Sequence, residues 1–210
     1  ESADPLAGYR GCFSAPEPGL ISLDGNSLGR PTLDGGERIE ATLHQEGARG
    51  LVRSWKNDWI GLPERVGDML APVIGAGPGE VLVADQTSVN LFKLASAALT
   101  ATGRADILSD DSNFPSDLYV LDAVARAAGG RLRVAPVDTT AGPNVDNLEP
   151  LLNDQVGVVS LSHVGFKSGA LADLGAITAM ARAVGALALW DLSHSAGVVP
   201  VGLNANSVDL

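Results

Sequence analysis

The chain has 210 residues, 45% hydrophobic and 19% charged, with 25 glycines and 12 prolines; this is the composition of a globular domain and excludes a disordered or fibrous chain. Fourteen Lys and Arg against 25 Asp and Glu leave a net charge of -11, a surface that repels a phosphate backbone and argues against a nucleic-acid partner. One cysteine, Cys12, excludes an internal disulfide framework and fits a cytoplasmic, reducing setting; no apolar run approaches the roughly 18 residues that span a bilayer, and the first residues lack a signal peptide's basic and apolar regions.

The first 30 residues are rich in Gly and Pro, with one possible short strand over Leu20–Leu23 before Asp24-Gly25. A helix is predicted from Pro31 to about Gly47, capped by Thr32, and a second from Pro63 to Gly75 through Val66, Met69, Leu70 and Val73. These make an N-terminal arm over residues 1–75. From residue 76 strands and helices alternate. Strands are predicted over Glu80–Ala84, Asp106–Ser109, Arg131–Ala135, Val156–Leu161 and Ala186–Trp190, and helices over Ser88–Thr100, Ser116–Ala128, Val145–Leu152 and Leu174–Val184. Such alternation specifies an α/β fold, a mostly parallel sheet flanked by helices, whose ligands sit at the carboxyl ends of the strands.

Polar clusters stand at those ends. In Asp85-Gln-Thr-Ser-Val-Asn90, the hydroxyls of Thr87 and Ser88 join the free N–H groups of a new helix in an anion site suited to phosphate, although, taken alone, a plain helix cap explains them better. In Ser112-Asn-Phe-Pro-Ser-Asp117, Phe114 precedes a Pro115-Ser116-Asp117 helix start and offers a flat ring to a planar ligand; a hydrophobic staple with a cap is the plainer alternative. The stretch Ser160–Gly169 brings Ser162 and His163 to the end of an apolar strand and then Lys167 to a glycine turn. Asp191 leaves the last apolar strand directly, with His194 three residues on; a carboxylate there is costly to desolvate unless a cation meets it. The fifth cluster, Asp24-Gly-Asn-Ser-Leu-Gly29, lies in the arm and matches the G-x-S-x-G nucleophile elbow around Ser27, but without the preceding strands and following helix that the elbow needs. Three histidines and one cysteine show no metal-ligand spacing.

Taken in order, Asp24–Gly29, Thr87–Asn90, Phe114–Asp117, Ser162 with Phe166–Gly169, and Asp191–His194 resemble the motifs of kynureninase, a fold-type I pyridoxal phosphate enzyme related to the class V aminotransferases. The resemblance implies a truncated large domain of that fold over residues 76–210. It also implies that Thr87 and Ser88 hold the cofactor phosphate and that Phe114, in the Phe114–Asp117 loop, stacks on the pyridine ring. Asp117 would orient the ring substituents, Ser162 would add a hydrogen bond, Asp191 would pair with the ring nitrogen, and His194 would lie beside it. Asn26 and Ser27 would contact the amino-acid substrate and Trp55 would line its aromatic end. The implied reaction is hydrolysis of L-kynurenine to anthranilate and L-alanine by a homodimer, with no catalytic residue inside this chain. The family's Schiff-base lysine, its carboxylate-binding arginine and its small domain would lie beyond Leu210, so the 210 residues alone are expected to bind the cofactor weakly and to be inactive. The alternatives are a cysteine desulfurase or other class V lyase, a serine hydrolase using Ser27, and a non-catalytic module for a phosphorylated ligand.

Overall fold

The computed structural model describes residues 4–210, which divide into two compact units at Leu62/Pro63. In the first, a 3-10 helix over Ala7–Cys12 leads into irregular chain, and an isolated antiparallel bridge joins Phe13 to Thr32. Helix α1 (Leu33–Ala41) starts where predicted, with the Gly35 amide donating to Thr32 Oγ1 at 3.1 Å, and continues as a π-helix over Thr42–Gly50. Helix α2 (Arg53–Asn57) follows, then a 3-10 turn over Trp59–Gly61. Trp59 Nε1 donates to Glu46 Oε2 at 2.7 Å and Ser54 Oγ to the Glu46 carbonyl at 2.6 Å, closing the π-helix onto α2. The strand expected over Leu20–Leu23 does not form. Those side chains face solvent, Leu23 at 94% exposure, and no neighbouring strand offers them a ladder.

The second unit is the predicted α/β layer structure. Its helices and strands are α3 (Leu62–Ile74), α4 (Thr87–Thr102), β1 (Asp106–Asp110), α5 (Pro115–Ala127), β2 (Leu132–Ala135), α6 (Val145–Leu148), β3 (Val156–Ser162), α7 (Leu174–Ala183) and β4 (Leu187–Asp191). The four strands are all parallel in the order β2-β1-β3-β4. Successive side chains of a strand point to opposite faces, and the core follows that rule. Ile107, Val158 and Leu189 pack under α4 and α5, while Leu108, Val159 and Trp190 pack under α6 and α7 with Leu148, Ile177 and Ala181. Trp190 Nε1 donates to Thr178 Oγ1 at 3.0 Å, fixing α7 to β4.

One further expectation is corrected. Glu80–Ala84 is extended but forms no strand among the described residues: Leu82 is 62% exposed, and its backbone contact is the Val83 amide donating to the Pro63 carbonyl. Helix α3, read from sequence as part of the arm, falls with the second unit. Gly67 meets the Val81 carbonyl so closely that a Cβ would lie 1.9 Å from it, and Gly75 (φ +71) abuts Gly202. Only glycine permits both approaches.

Candidate active site

The strand order reverses between β1 and β3, the place where sheets of this kind bind ligands. Helix α4 enters that rim from Asp85, held at φ +44 and paired with Lys93. Gln86 is its N-cap and gives no side-chain cap bond, and the first amide to find an intrahelical partner is that of Asn90. The amides of Thr87, Ser88 and Val89 therefore belong to the turn that a helix cannot satisfy internally. Thr87 is exposed and Ser88 half-buried. A cleft of ≈ 780 Å³ runs from Thr87 along Asn90 and Leu91 to Asp191 and Ser193, walled on the far side by Leu70 and Val73. That is the size of a cofactor site.

Asp191 ends β4, opposite Ser162 in the ladder, and its Oδ1 accepts from the Ser193 amide at 2.8 Å and from Ser193 Oγ at 2.6 Å. Asp117 stands in the first turn of α5 behind Pro115 and Ser116 and is 2% exposed. Its carboxyl is pushed up to about 6, first by burial and then by the charge of Asp191 and a hydrogen bond shared with it; the Ser116 hydroxyl opposes the shift weakly. Two carboxylates so disposed repel unless a proton or a cation joins them. Phe114, the N-cap of α5, lies edge-on to Phe166 with centroids 5.0 Å apart, and the His194 ring is 6.3 Å from it. Ser162 is buried and donates to Asn113 Oδ1 at 2.7 Å.

Thr87 and Asp191 thus share one cleft, and Phe114, Asp117, Ser162 and His194 gather at the adjoining strand ends. Ser88 lies in the same helical turn as Thr87. Asn26, Ser27 and Trp55 belong to the first unit. The Ser27 amide donates to Asp24 Oδ1 at 3.2 Å in an exposed turn, without the strand-to-helix geometry of a nucleophile elbow, and Trp55 packs at 6.4 Å on Trp59. Three residues of this region carry more than their sequence signal. Asn113, inside the Ser112–Asp117 cluster but given no role there, joins β1 to β3 near their carboxyl ends. Asp110, at the end of β1, is pushed up by burial although Ser112 donates to it. His163, 4% exposed and set edge-on to Trp190, has its pKa pushed down by burial and leaves Nδ1 without a partner.

This site offers helix amides and hydroxyls to an anion at one end and an unmet carboxylate pair to a cationic nitrogen at the other. Residues 60–210 match the aminotransferase class-V family model. The chain belongs to that family. Along its whole length it is similar to kynureninases: 43% identical to that of Deinococcus radiodurans and 41% to that of Pseudomonas fluorescens, each over 100% of this chain and 50% of the relative. The chain spans about half the length of the curated relatives it matches. Among solved structures it superposes on a C-DES mutant with glycine covalently linked to the PLP cofactor (TM-score 0.73, 22% identity, 88% of this chain and 49% of that one). It also superposes on the apo cysteine desulfurase of Thermococcus onnurineus NA1 (TM-score 0.72, 20% identity, 90% and 48%). These likenesses speak for the fold-type I architecture. Among the described residues no helix is long and apolar enough to cross a membrane.

Proposed function

We propose that the complete protein is a pyridoxal phosphate enzyme that hydrolyses the Cβ–Cγ bond of L-kynurenine to anthranilate and L-alanine, and that it accepts 3-hydroxykynurenine as well. The observation that carries the substrate is the identity of 41% and 43% to kynureninases along the entire chain. What supports the cofactor is the chemistry of the cleft. Thr87, Ser88 and the first amides of α4 hold its phosphate, and Asp191 takes the protonated ring nitrogen. Phe114 covers a ring face from the turn that Pro115 and Ser116 form, Ser162 and Asp117 hydrogen-bond the ring substituents, and His194 lies beside them. Bound there, pyridoxal phosphate supplies an electron sink for the pair left when the substrate's Cα–H bond breaks. Asp191 sustains that sink, because a carboxylate facing the ring nitrogen keeps it protonated. The same N–H⁺ relieves the repulsion between Asp117 and Asp191, so the pair that is costly alone is satisfied by its ligand. Asn26 and Ser27 hydrogen-bond the amino-acid substrate and Trp55 takes its aromatic end.

The complete protein is a homodimer in the cytoplasm, a setting that the exposed free thiol of Cys12 fits. Taken by itself, the 210-residue chain binds the cofactor weakly and does not turn over kynurenine. Lys93 is tied to Asp85 and Lys167 lies 5.3 Å over the Phe166 ring, so neither is offered as the amine that bonds the cofactor. Cysteine desulfurases share the fold, but likeness at 20% identity does not choose a substrate. Incubating the complete protein and cofactor with L-kynurenine, 3-hydroxykynurenine and cysteine in parallel tests the reading. Anthranilate and alanine in equal amounts are expected, and sulfide from cysteine without anthranilate would overturn it.

A further inference from the structure

We propose that Asn113 is a positioning residue for the cofactor site, setting the Phe114 ring and the Ser162 hydroxyl through one buried amide; the inference rests on the reading of the cleft given above. Asn113 is 4% exposed although it lies in the turn between β1 and α5. Its Nδ2 donates to Ser109 Oγ at 2.9 Å and to the Ser160 carbonyl at 3.5 Å. Its Oδ1 accepts from the Phe114 amide and from Ser162 Oγ, both at 2.7 Å. The full capacity of a carboxamide is two donated and two accepted bonds, and all four are used. Because the Phe114 N–H can only donate, it fixes which end of the amide is oxygen.

Two of the partners are distant in sequence. Ser109 lies near the end of β1, four residues before Asn113, whereas Ser160 and Ser162, near and at the end of β3, lie 47 and 49 residues beyond Asn113. Asn113 therefore laces the two strands at the point where the sheet order reverses, at their carboxyl ends. The same amide indexes α5. Phe114 is the N-cap of that helix and makes no side-chain cap bond of its own, and its carbonyl accepts from the Asp117 amide at 3.0 Å. Phe114, Asp117 and Ser162 are thus placed from one side chain, which is not among the residues lining the cleft. An apolar residue of similar size would leave the Ser162 hydroxyl and the Phe114 amide without this acceptor. A carboxylate would set an acceptor against the Ser160 carbonyl.

The test compares Asn113→Asp and Ser109→Ala with a remote control, Arg104→Ala, in the complete protein. Arg104 Nη1 donates to the carbonyls of Val156, at the amino end of β3, and Val184, the C-cap of α7, at 2.9 and 2.7 Å, so its loss reports stability without touching the site. Pyridoxal phosphate affinity and the induced circular dichroism of the bound cofactor are read together with urea unfolding. Asn113→Asp is expected to weaken cofactor binding about tenfold and to change the induced signal, Ser109→Ala to do so several-fold, and Arg104→Ala to lower stability with affinity and signal intact. If Asn113→Asp does not fold, Ser109→Ala decides alone. Wild-type affinity and signal in the Asn113→Asp and Ser109→Ala proteins that fold, or equal losses in Arg104→Ala, would overturn the inference while leaving the function standing. Absence of saturable cofactor binding in the wild type would instead overturn the function, and the inference with it.

Discussion

The two units of this chain obey different rules. Residues 63–210 bury both faces of a parallel sheet, and their apolar side chains alternate as the strands require. Among residues 4–62 only Ser54 is buried, while Ile21, Leu23 and Leu28 are each more than four-fifths exposed. The first unit is held by caps and polar contacts, Thr32 on α1 and Glu46 with Ser54 and Trp59, and the second by area removed from water. A chemistry that needs side chains fixed to fractions of an ångström belongs on the second.

Paired truncations separate the two units most strongly. Leu121→Ala and Ile177→Ala, both at fully buried sites on opposite faces of the sheet, should each cost about 2–5 kcal/mol in urea unfolding. Leu23→Ala should stay within about 0.5 kcal/mol. Equal losses would mean that the first unit has a core of its own.

The carboxylate pair comes next. Asp117 has a folded-state pKa of about 6 against an ordinary 3.8, so the folded chain binds the proton more tightly than the unfolded one. Its contribution is present below about pH 4 and is lost as pH rises through about 6. Without cofactor, Asp117→Asn should therefore stabilise the chain at pH 8, on the order of 2–3 kcal/mol, and the gain should vanish near pH 4. A pH-independent difference in thermal unfolding would contradict a carboxyl raised by burial and by Asp191.

Smaller effects are expected within each unit by itself. Gly67→Ala must push a methyl into the Val81 carbonyl and should cost about 1–3 kcal/mol, detaching the 80–84 segment from α3. Thr32→Ala removes the cap of α1 and should cost about 1 kcal/mol, seen as lost helical circular dichroism and not as a shift in the main transition.

Apolar alternation made the second unit legible. β1, β3 and β4, and helices α3, α4, α5 and α7, start and stop within a few residues of where Gly, Pro and the periodicity set them. The same signal misled at Leu20–Leu23 and Glu80–Ala84, because an extended apolar run becomes a strand only beside another strand, and pairing is not written in the run itself. At the site, Asp191 and the α4 start were visible as polar groups closing apolar elements. The role of Asn113 was not, since its partners Ser160 and Ser162 lie dozens of residues away and only the fold brings them within bonding distance. Nor could spacing reveal that Asp117 meets Asp191, which lies 74 positions on.

We propose that the cleft between α4 and β4 holds pyridoxal phosphate with Asp191 on its ring nitrogen, and a crystal structure of the complete protein with the cofactor bound decides it. The phosphate is expected on the amides and hydroxyls of Thr87 and Ser88, and the ring nitrogen within hydrogen-bond distance of the Asp191 carboxylate. A cofactor seated elsewhere, or one whose ring nitrogen faces away from Asp191, would contradict the account.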